Sequence, residues 1–200
     1  MLYLYFCSMK SARMAIFASG TGSNAQAIID YFAGNKSITI PCLISNKEEC
    51  GAIELARKAQ IEVRVFANNE IEDGKLLERF LVEKNIDVII LAGFLRKIPR
   101  NITSCFPDRI INIHPAILPD FGGKGMYGKH VHQAVLEAKK KQSGITIHLV
   151  NEKYDEGNYL AQFYTPILEN DTVQSLEARI RSLELNYFPF VIEGYIKSIK

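Results

Sequence analysis

The chain has 200 residues, a length that suggests one domain, or one domain with a small appendage, and that can bury a full layered core. Hydrophobic residues make up 48% and charged residues 23%, ordinary values for a soluble globular protein. The formal charge is +2, from 24 basic and 22 acidic side chains, which is too balanced for a nucleic-acid or anionic-membrane surface.

Residues 1–9 read MLYLYFCSM. This run is far shorter than the roughly 20 residues of a membrane span. It also lacks the basic start and small-residue cleavage site of a signal peptide. Residues 1–13 are therefore expected to be an extension ahead of one domain over 14–200, with Met9 and Met14 as alternative starts. Residues 14–18 (MAIFA) read as a buried strand ending in the turn Ser19-Gly20-Thr21-Gly22. A helix is predicted over 23–32, with Ala27, Ile28 and Phe32 at helical spacing and Ser23 or Asn24 as cap. A second strand covers 37–45, where Pro41 points to an edge position or a bulge. A short helix over 51–60 and an alternating strand over 61–66 follow. An amphipathic helix is predicted over 71–84, with Leu76, Leu77, Phe80 and Leu81 on one face.

The apolar runs 87–92 and 108–113 read as central parallel strands buried on both faces. A Gly- and Pro-rich stretch over 115–128 is irregular, and a helix resumes over 129–141. Residues 144–151 and 158–167 read as an antiparallel strand pair joined by the turn 154–157. A long closing helix covers 172–195, with Asp171 placed to cap it. Strand and helix in alternation predict an α/β fold: a doubly wound, mostly parallel, Rossmann-like sheet with a C-terminal antiparallel strand pair and a closing helix. Ligands in such sheets bind beyond the carboxyl ends of the strands, here the loops after Ala18, Ala92 and Ile113.

The loop Ala18-Ser-Gly-Thr-Gly-Ser-Asn24 follows a strand and opens a helix, which suits an anion. It is neither a full GxGxxG nor a P-loop, so it reads as a site for one phosphate; a tight turn without a ligand is the competing reading. Asn112 and His114 stand two apart at a strand end, on one side and about 6.6–6.8 Å apart along the strand. Ile111 and Ile113 face the other way, into the core. An amide and an imidazole over one small space suit carbonyl chemistry, the amide donating to an oxyanion and the ring moving a proton. Tyr154-Asp-Glu-Gly157 alone is simply a good turn; an Asp placed near His114 would raise the pKa of that ring. His130 and His132 face different directions and make a poor metal pair. His148 is either a satisfied core histidine or a partner of the site. Lys139–Lys141 read as a solvated helix end, and Cys7, Cys42, Cys50 and Cys105 as incidental thiols in a reducing compartment. No metal site is expected.

On the stretches ASGTGSN, LAGFLRKIP, INIHPAILPDFGGKG and GITIHLVNEKYDEG, with Glu184 ahead of Tyr187-Phe-Pro189, the sequence resembles the glycinamide ribonucleotide formyltransferases from about Met14 to near the C-terminus. This is a folate-dependent family of purine synthesis. The resemblance implies that Gly22, Ser23 and Asn24 hold the substrate phosphate and that Glu184 binds the ribose hydroxyls. It implies that Leu95, Arg96, Lys97 and Ile98 line the pterin pocket with Asn112, Asn151, Glu152, Lys153, Tyr154 and Asp155. Asn112, His114 and Asp155 form the implied catalytic trio. The amine would attack the formyl carbon of 10-formyltetrahydrofolate, a cosubstrate. Asn112 and protonated His114 would stabilise the oxyanion, and Asp155 would keep His114 charged. Two positions depart from the family pattern. Glu70 stands where an Arg is often found, and Arg181 stands where Gln is common and could reach the phosphate or ribose. The GGKGMYG stretch is expected as a loop over the site. The implied partners are small-molecule substrates, not nucleic acid or membrane, on a cytoplasmic monomer or homodimer. A formyltetrahydrofolate hydrolase and a non-catalytic nucleotide-binding module are the alternatives.

Overall fold

The computed structural model describes residues 11–199. Most of the expected N-terminal extension, including Met9, lies outside the described residues. The elements are β1 Ala12–Phe17, α1 Ser23–Tyr31, β2 Ile38–Ser45, α2 Gly51–Lys58, β3 Glu62–Val65, α3 Asn68–Asp73, α4 Lys75–Glu83 and β4 Val88–Leu91. They continue as α5 Arg100–Cys105, β5 Ile110–His114, α6 Lys129–Glu137, β6 Gln142–Leu149, β7 Tyr159–Pro166 and α7 Val173–Ser198. The seven strands form one sheet in the order β3-β2-β1-β4-β5-β6-β7. Pairing is parallel from β3 through β5 and antiparallel for β5–β6 and β6–β7. This is the predicted doubly wound Rossmann-like sheet with its antiparallel end and closing helix.

Alternate residues of the central strands feed two cores. Met14, Ile16, Val88 and Ile90 pack under α1, α2, α6 and α7, while Ala15, Phe17, Ile89 and Leu91 pack under α3, α4 and α5. Continuous apolar runs are what burial on both faces requires. Pro41 is not on an edge strand, because β2 lies between β1 and β3. The β1–β2 register instead slips between Arg13↔Thr39 and Ala15↔Cys42, so the extra residue falls at 40–41. β3 joins β2 only from Cys42 onward, so the missing N–H of Pro41 interrupts no β3 bond.

Five elements differ from the sequence expectation. α1 is capped by Gly22, with no side-chain cap, rather than by Ser23 or Asn24. The helix expected over 71–84 is two helices broken at Gly74, whose φ of +73° is left-handed. Leu77 and Leu81 are buried as expected, but Leu76 is exposed. α5 is additional. α6 is shorter than expected because Lys139 turns the chain at φ +50°, so β6 starts at Gln142. The cap of α7 is Thr172, whose hydroxyl accepts from Ser175 N–H, not Asp171. Asp171 instead pairs bidentately with Arg179 at 2.7 and 2.9 Å, which holds its carboxyl far below the usual carboxylate range. α7 runs on to Ser198 through Pro189, where no N–H reaches back to Leu185.

Candidate active site

β1 and β4 are neighbours from which the chain winds in opposite directions, and the crevice at their carboxyl ends is where such sheets take ligands. A cavity of about 480 Å³ opens there. β5 supplies part of its lining. Ile111 and Ile113 pack into one core, so Asn112 and His114 project from the opposite face, as strand alternation predicts. Both line the cavity. Opposite Asn112 in the antiparallel register stands His148, and opposite His114 stands Thr146.

His114 is almost fully buried. Its Nε2–H donates to the Phe121 carbonyl at 2.8 Å, which leaves Nδ1 facing Asp155 Oδ2 at 3.8 Å. His148 donates Nδ1–H to the Leu149 carbonyl at 2.9 Å. Its Nε2 stands 3.2 Å from Asn112 Nδ2 and 3.5 Å from Asp155 Oδ1. His148 is therefore a partner of the site rather than a satisfied core residue. Asp155 comes from the 154–157 turn, at φ +55°, and its Oδ2 accepts from Gly123 N–H at 2.8 Å. The trio thus meets in space, joined by His148.

The electrostatics correct one expectation. Burial pushes the His114 pKa down, and the opposing pull of Asp155 and the Phe121 carbonyl does not cancel it. The shift favours the neutral ring over the imidazolium expected from the sequence. Burial also works against the Asp155 carboxylate. Contact with His148, the Gly123 N–H and His114 outweighs it, so the carboxyl lies below its ordinary range.

The irregular stretch after β5 is held by one buried hydroxyl. Thr146 Oγ1 accepts from Leu118 N–H at 3.0 Å and donates to the Ala116 carbonyl at 2.8 Å. Gln162 reinforces both, donating to Leu118 O and Thr146 Oγ1. Beyond the cis Leu118–Pro119 bond, Lys140 anchors the loop through Asp120 at 2.7 Å, so the lysine run is more than a solvated helix end. Thr146→Val keeps the shape but strands a buried N–H and carbonyl, a loss of about 2 kcal/mol. Thermal unfolding should show a midpoint lower by about 4–8 °C.

Two further groups of residues line the cavity. From α1 and α7 come Asn24, Arg181 and Glu184, with Asn24 Nδ2 donating to Glu184 Oε2 at 3.0 Å. Burial raises the Glu184 carboxyl. Arg181 is held by Glu177 at 2.9 Å. Gly22 and Ser23 sit at the start of α1 beside the lining residue Thr21, and not in the lining itself. From the segments after β4 and β6, Leu95, Arg96, Lys97, Ile98, Asn151, Lys153 and Tyr154 line it. Glu152 does not; it pairs outward with Arg100 at 2.9 Å. Glu70 is also away from the lining, its carboxylate accepting from Ala67 N–H at the start of α3. The GGKGMYG stretch does border the site, through Gly123 to Gly128. Val150, Ile180 and Glu177 line the cavity without a sequence signal; each is an ordinary residue of its strand end or helix.

The family model described as Formyl transferase matches residues 12–192. The chain is 44% identical over 174 residues to phosphoribosylglycinamide formyltransferase, chloroplastic, of Arabidopsis thaliana, covering 84% of this chain and 60% of that protein. It is 34% identical to phosphoribosylglycinamide formyltransferase of Haemophilus influenzae, covering 92% of this chain and 86% of that one. The chain spans 60% and 62% of the length of the two plant relatives it matches. Among solved structures, glycinamide ribonucleotide transformylase 1 from Symbiobacterium toebii superposes with a TM-score of 0.86 at 32% identity, covering 98% of this chain and 92% of that one. Sequence, fold and the meeting of Asn112, His114 and Asp155 over one cavity agree: the chain belongs to the formyl transferase family.

Proposed function

We propose that this chain transfers the formyl group of 10-formyltetrahydrofolate to the amine of 5-phosphoribosylglycinamide, a step of de novo purine (IMP) biosynthesis. One observation carries the reading. A single cavity is lined by Asn24, Arg181 and Glu184, by Leu95–Ile98, and by His114 and Asp155. The phosphate lies on the N-terminus of α1, at Gly22, Ser23 and Asn24, where Ser23 and Asn24 N–H groups point out of the helix. Glu184 accepts from the ribose hydroxyls, and Arg181 adds positive charge near them. The pterin lies along the backbone of Leu95–Ile98 and against the 151–155 turn.

The amine nitrogen attacks the formyl carbon, and a tetrahedral oxyanion forms. Asn112 Nδ2 stands 3.2 Å from His148 Nε2, which aims the amide, and its N–H donates to the oxyanion. Neutral His114 takes the proton of the attacking amine at Nδ1, directly or through a water, and becomes an imidazolium beside the Asp155 carboxylate. That proton then passes to the folate nitrogen as its bond to the formyl carbon breaks. The products are tetrahydrofolate and the formylated glycinamide. These steps use side chains and water alone. Free thiols at Cys42, Cys50 and Cys105 support a reducing, cytoplasmic setting. No helix of the described residues is long and apolar enough to cross a membrane.

One assay tests the reading: the protein is mixed with both substrates, and tetrahydrofolate release is followed with and without the nucleotide. Nucleotide-dependent release is the expected result. Release independent of nucleotide would make the chain a hydrolase instead, and nucleotide binding without any release would make it a binding module.

A further inference from the structure

Among the described residues, the buried side-chain polar atoms without a hydrogen-bond partner are Asn24 Oδ1, His132 Nδ1 and Ser143 Oγ. The first two belong to residues that line the cavity, Asn24 bonded to Glu184 and His132 within electrostatic reach of Glu177 and Arg181. Asn24 opens α1, and His132 lies in the first turn and a half of α6. α7 brings Glu177, Arg181 and Glu184 to the same cavity. His132 is only 3% exposed. The charged and titratable groups acting on it are Glu177, Arg181 and His114, so it stands between the ion pair of α7 and the reacting centre. Burial lowers its pKa and so favours the neutral ring, which can both accept and donate. His130, two residues earlier, is exposed.

A buried ring nitrogen without a partner is costly, and native interiors rarely keep one. A hydrophobic residue would fill the same place without that cost. A ligand that supplies the missing partner removes the cost when it binds. A half-turn about χ2 exchanges Nδ1 with Cδ2 in the same volume, so a nitrogen can turn to a ligand without repacking. We propose that His132 is a binding residue for the phosphoribosyl substrate, hydrogen-bonding the stretch between ribose and amine. This rests on the nucleotide half of the function proposed above. Its role is distinct from those of Asn24 and Glu184, which already bind one another.

The test compares wild type with His132→Leu, His132→Phe and His132→Gln. Three quantities are read: calorimetric affinity for 5-phosphoribosylglycinamide, KM for the formyl donor, and the unfolding midpoint of the ligand-free protein. The leucine variant should bind nucleotide about tenfold more weakly. Its donor KM should stay within about twofold of wild type. Its ligand-free midpoint should equal or exceed that of wild type, because the unpaired nitrogen is gone. His132→Phe keeps a flat ring and carries the same expectation if the leucine variant does not fold. His132→Gln, which restores a donor and an acceptor, should recover most of the affinity. Wild-type nucleotide affinity in the apolar variants would overturn the proposal. So would a lowered midpoint with equal losses for both substrates, since that describes a packing residue. If wild type itself does not bind the nucleotide, the proposed function fails and the inference falls with it, a result distinct from an unaffected variant.

Discussion

His114→Ala lowers turnover about a hundred- to ten-thousandfold and changes nucleotide affinity only a few-fold. The ring comes from β5, while the groups proposed to hold the nucleotide come from α1 and α7. Removing it deletes the proton acceptor of the attack and leaves the α1 terminus, Arg181 and Glu184 in place. Steady-state kinetics with both substrates separates the two effects, and near-normal turnover would take His114 out of the chemistry. The ionisation of the ring gives a second check. Its pKa in the ligand-free chain lies below 6.5, so a titration followed by NMR of the imidazole Cε1–H shows protonation only as pH falls below that value. Asp155 pulls the pKa upward against burial. Asp155→Asn should therefore move the midpoint further down, and also slow turnover, because the imidazolium formed during attack loses its counter-charge. An upward shift in that variant would contradict the account of Asp155 as the charge partner of His114.

How legible this site was depended on the range of the interactions that build it. Asn112 and His114 follow from a period of two along one strand, so their shared direction could be read locally. Asp155 could not be read that way. As part of a turn it has no period, and its meaning comes from contacts with Gly123, His114 and His148 that are distant in sequence. Only family resemblance singled it out beforehand. His148 was visible as a strand residue, but its role needed the β5–β6 register that sets it opposite Asn112. The direction of the His114 pKa shift is not legible locally for a related reason. A neighbouring carboxylate can be guessed from sequence, whereas the depth of burial that outweighs it is a property of the folded loop 115–128. In the fold, the apolar spacing of Leu77 and Leu81 carried the helical pattern straight through Gly74, where the backbone in fact turns. α5 has no apolar stripe of its own; Ile102 alone is its large buried residue, so periodicity had little to register.

Gly22→Ala tests whether the first loop is a phosphate site or only a corner. Gly22 caps α1 at φ +88°, a conformation that costs an L-residue about 1–2 kcal/mol. A Cβ there would lie 2.7 Å from Ala52 Cα and 2.8 Å from its nitrogen, and backbone atoms cannot step aside as a side-chain tip can. The same junction carries the bond from Ala52 N–H to the Gly20 carbonyl at 3.3 Å. Relief therefore has to come from the turn itself, which swings the first N–H groups of α1. The unfolding midpoint should drop by about 5 °C or more. Nucleotide affinity should fall at least about tenfold, because N–H groups bind an oxyanion only when they converge on it. The donor KM should not change, since Leu95–Ile98 and the 151–155 turn are carried by other elements. A destabilised variant that still binds the nucleotide like wild type would reduce the loop to a structural corner and move the phosphate elsewhere, with Arg181 among the cations lining the cavity.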